Sequence, residues 1–158
     1  MKMDEKDKEK LERIEQRIRN SPKTIQTANG LTLLAALLTF IHRVYFAYSH
    51  EIAIWKGLVA GLLLAIIIFQ AGMMLYQKKA WVYWAVLLVS LLVALFTTIH
   101  GLAEVLKFAL GKFEDYAGFI FTALFWLISV GIIASLVRKK SRDYFRAKNE
   151  PDVESSLS

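Results

Sequence analysis

Residues 33–47 read LLAALLTFIHRVYFA, and residues 91–105 read LLVALFTTIHGLAEV. Each places a threonine and a histidine, three apart, at the same offset in an apolar run. Over 33–42 and 91–100, seven of ten positions are identical, Thr39/Thr97 and His42/His100 among them. Such runs do not stand alone. The chain of 158 residues is 56% hydrophobic and 13% aromatic, with a mean hydropathy of +0.40. Its charges gather at the two ends and in short clusters. That distribution fits a membrane protein better than a soluble domain, which needs polar surface along its whole length.

A membrane-crossing helix takes about 20 mainly apolar residues. Four stretches qualify, at about 25–48, 54–76, 81–105 and 116–137. Lipid offers no partner to an unpaired backbone amide, so these runs must be helical. Short connections make consecutive helices antiparallel neighbours. The expected fold is an all-α, four-span bundle made of two tandem hairpins, 23–79 and 80–140. Residues 1–22 precede it as a charged amphipathic segment. Residues 141–158 follow as a basic, then acidic, disordered tail. The first apolar run follows a long mixed-charge region and is too long for a signal-peptide core, so it is expected to remain as a span.

Orientation follows from the basic residues. Sixteen of the twenty lie before span one, between spans two and three, or after span four. They include Arg13, Arg17, Arg19, Lys78, Lys79, Arg138, Lys139 and Lys140, all expected at the membrane surface. The positive-inside rule puts both termini in the cytoplasm, and a bacterial inner membrane is the expected location. Trp81 and Trp84 suit one aromatic belt and Trp55 the other. Leu11, Ile14 and Ile18 form the apolar stripe of a short basic helix, which can lie on anionic lipid or simply be solvated. Ser21 and Pro22 suit the N-cap and first turn of span one. The segment RKKSRDYFRAK is expected to prolong helix four, with the acidic tail beyond it disordered.

The repeat extends to the ends of the hairpins, where MLYQKK closes the first and SLVRKK the second. Two hairpins of equal orientation imply a pseudo-two-fold axis along the membrane normal. Spans one and three then lie diagonally, and His42 and His100 face each other at one depth, about 9 Å inside the far end. Glu104 follows His100 by one turn. Thr39, Thr97, Arg43 and Lys107 complete a polar cluster in the outer half of the bundle.

Four functions compete for that cluster. The first is structural: side chains bond across helices, Arg43 snorkels or pairs with Glu104, and the protein acts through packing and partners as an accessory subunit or immunity-type protein. The second is a b-type haem held by His42 and His100, an expectation by architectural analogy. The third is a divalent-metal or proton site at His42, His100 and Glu104, with His50 or Glu51 at its mouth, suited to a homo-oligomeric transporter or channel. The fourth, an enzyme, lacks a nucleophile–base set, since Ser90 and Ser129 are isolated in helices where serines bond back to their own backbone. No cysteine is present, which removes disulfides and thiolate ligands. Gln70 reads as interhelical glue, and GLVAG (57–61) as a small-residue packing or dimer face. The aromatic residues Phe119, Phe121, Phe125 and Trp126 read as lipid-facing or core. The basic residues are explained by topology, so nucleic acid is not an expected partner.

Overall fold

A computed structural model describes residues 5–51, 53–110 and 116–146. They form α1 (Glu5–Arg19), α2 (Lys23–Ser49), α3 (Ile54–Met74), a 3₁₀ turn (Leu75–Gln77), α4 (Ala80–Ala109), α5 (Tyr116–Val137) and α6 (Lys139–Arg146). Four of these segments, α2, α3 with its 3₁₀ turn, α4 and α5, are long and apolar enough to cross a membrane. The protein is an all-α, four-span integral membrane protein. Its outer surface is correspondingly greasy, with Leu63, Leu95, Phe96 and Leu102 among the many large side chains left for lipid.

The spans do not close into a symmetric square. α2 is central, packed on α3 and on α5, and α4 lies against α5. α3 and α4 meet only slightly, so the ring is open on that side. A pseudo-two-fold would give α4 as close a contact with α3 as α2 has with α5, and the structure does not show that. One local contact is shared. Gly61 meets Arg43 on α2, and Gly101 on α4 meets Thr122 at the aligned position, with the glycine on the opposite partner.

The α2–α3 seam is the tightest because glycine lines it. A Cβ on Gly57 would lie 2.5 Å from Ala47 Cβ and 2.9 Å from the Arg43 carbonyl oxygen. On Gly72 it would lie 2.7 Å from Asn29 Oδ1. Between lipid-bathed helices there is little hydrophobic drive, and close backbone approach supplies the dispersion contacts that hold them. The GLVAG pattern is thus used inside the chain, against α2.

The best-buried side chains gather at the end bearing the termini. Ile25 and Ala28 of α2, Leu75 and Tyr76 of the turn, Val82, Tyr83 and Val86 of α4, Ile132 and Leu136 of α5, and Tyr144 and Phe145 of α6 make one cluster, with Ile18 of α1 packed on it. Polar bonds stitch it. Asn29 Nδ2 donates to Tyr76 Oη (3.0 Å), and the Tyr144 and Tyr83 hydroxyls donate to the Tyr76 and Leu136 carbonyls at 3.4 Å. Ser141 Oγ is 2.7 Å from both the Ser135 carbonyl oxygen and Thr24 Oγ1. With one proton to give, it donates to the carbonyl and accepts from the threonine.

Two local expectations are corrected at this end. Ser21 does not cap α2. Its hydroxyl donates back to the Ile18 carbonyl at 2.7 Å, and Pro22 takes the N-cap position. Gln26 Nε2 braces the same corner by donating to the Ser21 carbonyl (3.0 Å). The basic segment does not prolong the fourth span, α5, either. The chain bends at Arg138, and α6 turns Ser141, Tyr144 and Phe145 into the cluster. A straight continuation would leave both rings in water, and their burial outweighs the lost helical continuity. Residues 141–146 are therefore helical. The acidic tail, 147–158, and the Leu11 and Ile14 side chains lie outside the described residues.

Gly57→Leu should destabilise the detergent-solubilised protein by about 1–3 kcal/mol, because the Arg43 carbonyl cannot yield as a flexible side chain would. Gly30→Ala, with nothing within 4 Å of the added Cβ, should be neutral or slightly stabilising. Thermal melting reads both, and equal melting of wild type and Gly57→Leu would show that the seam has slack.

Burial raises the Tyr144 hydroxyl above its ordinary 10.0, with the Arg17 guanidinium partly opposing. A raised folded value means that the neutral phenol stabilises the fold below pH 10 and that this stabilisation is lost as pH climbs through the folded value. Tyr144→Phe should flatten the alkaline limb of stability against pH, and an unchanged limb would show that Tyr144 is not its source.

Candidate functional site

The polar residues of the spans were the sequence's candidates, and the structure separates them. His42 is half-buried on the α5 side of α2. Its ring meets Phe121 edge-on at 5.0 Å and Phe125 at 5.9 Å, with Phe46 of its own helix 6.4 Å away. His100 is exposed on α4, and Phe96, one turn earlier on the same helix, is its ring neighbour at 6.4 Å. One imidazole is thus an aromatic packing element and the other is presented to the membrane. Equal sequence position does not give equal surroundings, because α2 has neighbours on two sides and α4 ends the arrangement.

Glu104 is buried at 7% exposure. Its carboxylate accepts from Lys107 Nζ at 2.6 Å, one turn on, in a recess shared with Phe108, Tyr116 and Phe119. A carboxylate buried within a span must be neutralised, and the Lys107 stem is long enough to do it while its side chain stays 55% exposed. The expected Arg43–Glu104 pair therefore gives way to Glu104–Lys107. Arg43 lies instead on the glycine seam, where its Cβ and carbonyl meet Gly61 and Gly57.

The threonines bond within their own helices. Thr39 Oγ1 donates to the Ala35 carbonyl at 2.8 Å, and Thr97 Oγ1 to the Val93 carbonyl at 2.7 Å. This is the ordinary fate of a hydroxyl in an apolar helix. A cross-helix bond that the sequence reading missed runs from Trp126 Nε1 of α5 to Thr98 Oγ1 of α4, at 3.0 Å. Thr98 has no counterpart in the first hairpin, where Phe40 stands, so the repeat carries no sign of it. His50 stacks on Phe46 at 4.0 Å, and Gln70 is exposed.

Among the described residues, no group of three or more His, Asp or Glu side chains is placed to hold a metal ion. The haem and metal readings need His42 and His100 around one point, and the structure gives them different neighbours. Ser129 is buried in the α5 helix and Ser90 in α4.

The basic residues assigned to the membrane surface are partly gathered. Arg13, Gln16 and Arg17 of α1, Asn20 just past its end, Lys78 of the α3–α4 turn and Tyr144 of α6 line a cleft of about 290 Å³. Lys78 holds a left-handed backbone, with φ 52°, at the end of the 3₁₀ turn. Its Nζ lies 4.9 Å from the centre of the Tyr144 ring, within cation–π range. Arg19, Lys79, Arg138, Lys139 and Lys140 are exposed around the same end. The sequence marks all of these as surface charge, and only the docking of α1 and α6 selects the three that meet.

His42→Ala should lower stability by about 1–2 kcal/mol by opening the α2–α5 contact, whereas His100→Ala should change it by less than about 0.5 kcal/mol. Unfolding in mild detergent checks the difference, and equal losses would mean that the two rings share one environment after all. Compared with protein-family models, curated proteins and solved structures, the chain matches none.

Proposed function

We propose that this chain is a non-enzymatic membrane protein that works through packing and partner contacts, as an accessory subunit or immunity-type protein does. One observation supports this reading above the others. Several ionisable and polar groups inside the spans are spent on local structure: Glu104 on Lys107, Thr39 and Thr97 on their own helices, and His42 on Phe121 and Phe125. Groups so engaged stabilise a scaffold and are poorly placed for ligation or proton transfer.

The basic excess at one end supports an orientation with both termini in the cytoplasm, in a bacterial inner membrane. The lipid bilayer is the first partner. A second copy or another membrane protein would meet the apolar sides of α3 and α4, which the open ring leaves uncovered.

An absorption spectrum with metal analysis of the purified protein tests the reading. The expected preparation is colourless and carries no stoichiometric metal. A Soret band abolished by both His42→Ala and His100→Ala, or a metal lost with them, would replace this reading with the haem or metal one. Orientation is tested separately, and the absence of native cysteine makes single-cysteine labelling clean. Ser49→Cys should react with an impermeant maleimide in intact cells, and Asn20→Cys only after permeabilisation. The reverse pattern would invert the topology.

A further inference from the structure

The α3 helix has two opposite faces. Gly57, Gly61 and Gly72 turn to α2 and are buried against it. Gln70 follows Gly61 by nine residues, which at 3.6 residues per turn is about two and a half turns. It therefore points directly away from α2. Val59, Leu63 and Ile66 share this outward face, and all four side chains are exposed. Their spacing, in steps of four, three and four residues, is that of the seam of a left-handed helix pair. α3 packs on α2 and touches α4 only slightly, so the described residues leave the seam uncovered.

Gln70 lies eight residues before Lys78, about 12 Å along the helix axis. Its short stem cannot carry the amide to water over that distance. Thr98, also exposed within a span, is bonded to the Ala94 carbonyl and to Trp126. Among the described residues the Gln70 carboxamide makes no hydrogen bond. An amide in hydrocarbon is costly until its donors and its acceptor are met.

We propose that this face of α3 binds a second copy of the chain, Gln70 against Gln70. A carboxamide carries both donor and acceptor, so it is complementary to itself. Two copies inserted the same way are related by a two-fold axis along the membrane normal, which brings equal residues together at equal depth. Each Gln70 Nε2 then donates to the other copy's Oε1. Val59, Leu63 and Ile66 interleave around the axis, and the polar pair fixes the register of the apolar seam. The glycine pattern of the same helix is not the dimer face, because α2 occupies it. This proposal rests on the partner-contact reading above and names the partner.

The full chain, labelled through Ser49→Cys with donor or acceptor fluorophores and mixed in liposomes, tests it. Energy transfer over a range of lipid dilution reads the dissociation constant. Gln70→Leu should weaken the dimer about five- to tenfold. Since Gln70 faces away from the rest of the chain, melting of this variant in detergent should match wild type. Oxidative crosslinking adds a geometric readout. Leu63→Cys should join two copies, whereas Leu127→Cys, exposed on α5, should not.

A monomer at every dilution overturns the proposal, as does a dimer indifferent to Gln70→Leu or one crosslinked equally through both cysteines. A monomer would leave the partner-contact reading to a different membrane protein. A haem or metal in the purified chain would instead remove that reading, with the energy-transfer result still deciding whether two copies meet at Gln70.

Discussion

How near two helices can come in lipid decides how strongly they hold, because hydrocarbon outside is as accommodating as hydrocarbon within. In this chain the closest approach is between α2 and α3, at Gly57, Gly61 and Gly72. The seam fixes α2 as the central helix, and the other placements follow. With α3 on one side and α5 on another, α2 places His42 among the rings of α5. α4 reaches the assembly mainly through α5, and His100, outside that contact, is left to lipid.

Where the chain leaves the apolar layer, water supplies a different force. The buried cluster at the terminal end joins all six helices, and there the ordinary hydrophobic effect operates on Tyr76, Tyr83, Tyr144 and Phe145. The same residues supply hydroxyls that satisfy carbonyls left over at helix ends. The three converging cations lie on the outer edge of this cluster, so the basic cleft follows from the way α1 and α6 dock.

The spans were legible because bilayer thickness imposes a length that composition records. The stretches expected at 25–48, 54–76, 81–105 and 116–137 became Lys23–Ser49, Ile54–Met74, Ala80–Ala109 and Tyr116–Val137. The α6 helix was legible in principle. Ser141, Tyr144 and Phe145 at i, i+3, i+4 among charges mark an amphipathic turn, but the basic run around them resembled a simple extension. That His42 and His100 take different neighbours was not legible. Matching sequence fixes where a residue lies along its helix, yet the rotation of that helix against its neighbours depends on contacts that two similar hairpins need not share. Glu104 made a similar point. Its neighbour in the folded chain is the nearest cation along its own helix, Lys107, and not the more distant Arg43.

The hydrogen bond between Ser141 and Thr24 spans 117 residues. A ribosome makes Thr24 long before Ser141, and nearly all of the four spans is made between them. Until α6 emerges, the carbonyl of Tyr76 lacks its donor and Phe145 is missing from beside Tyr83. Of the described helices, the last to be made thus packs at the end where the first span begins.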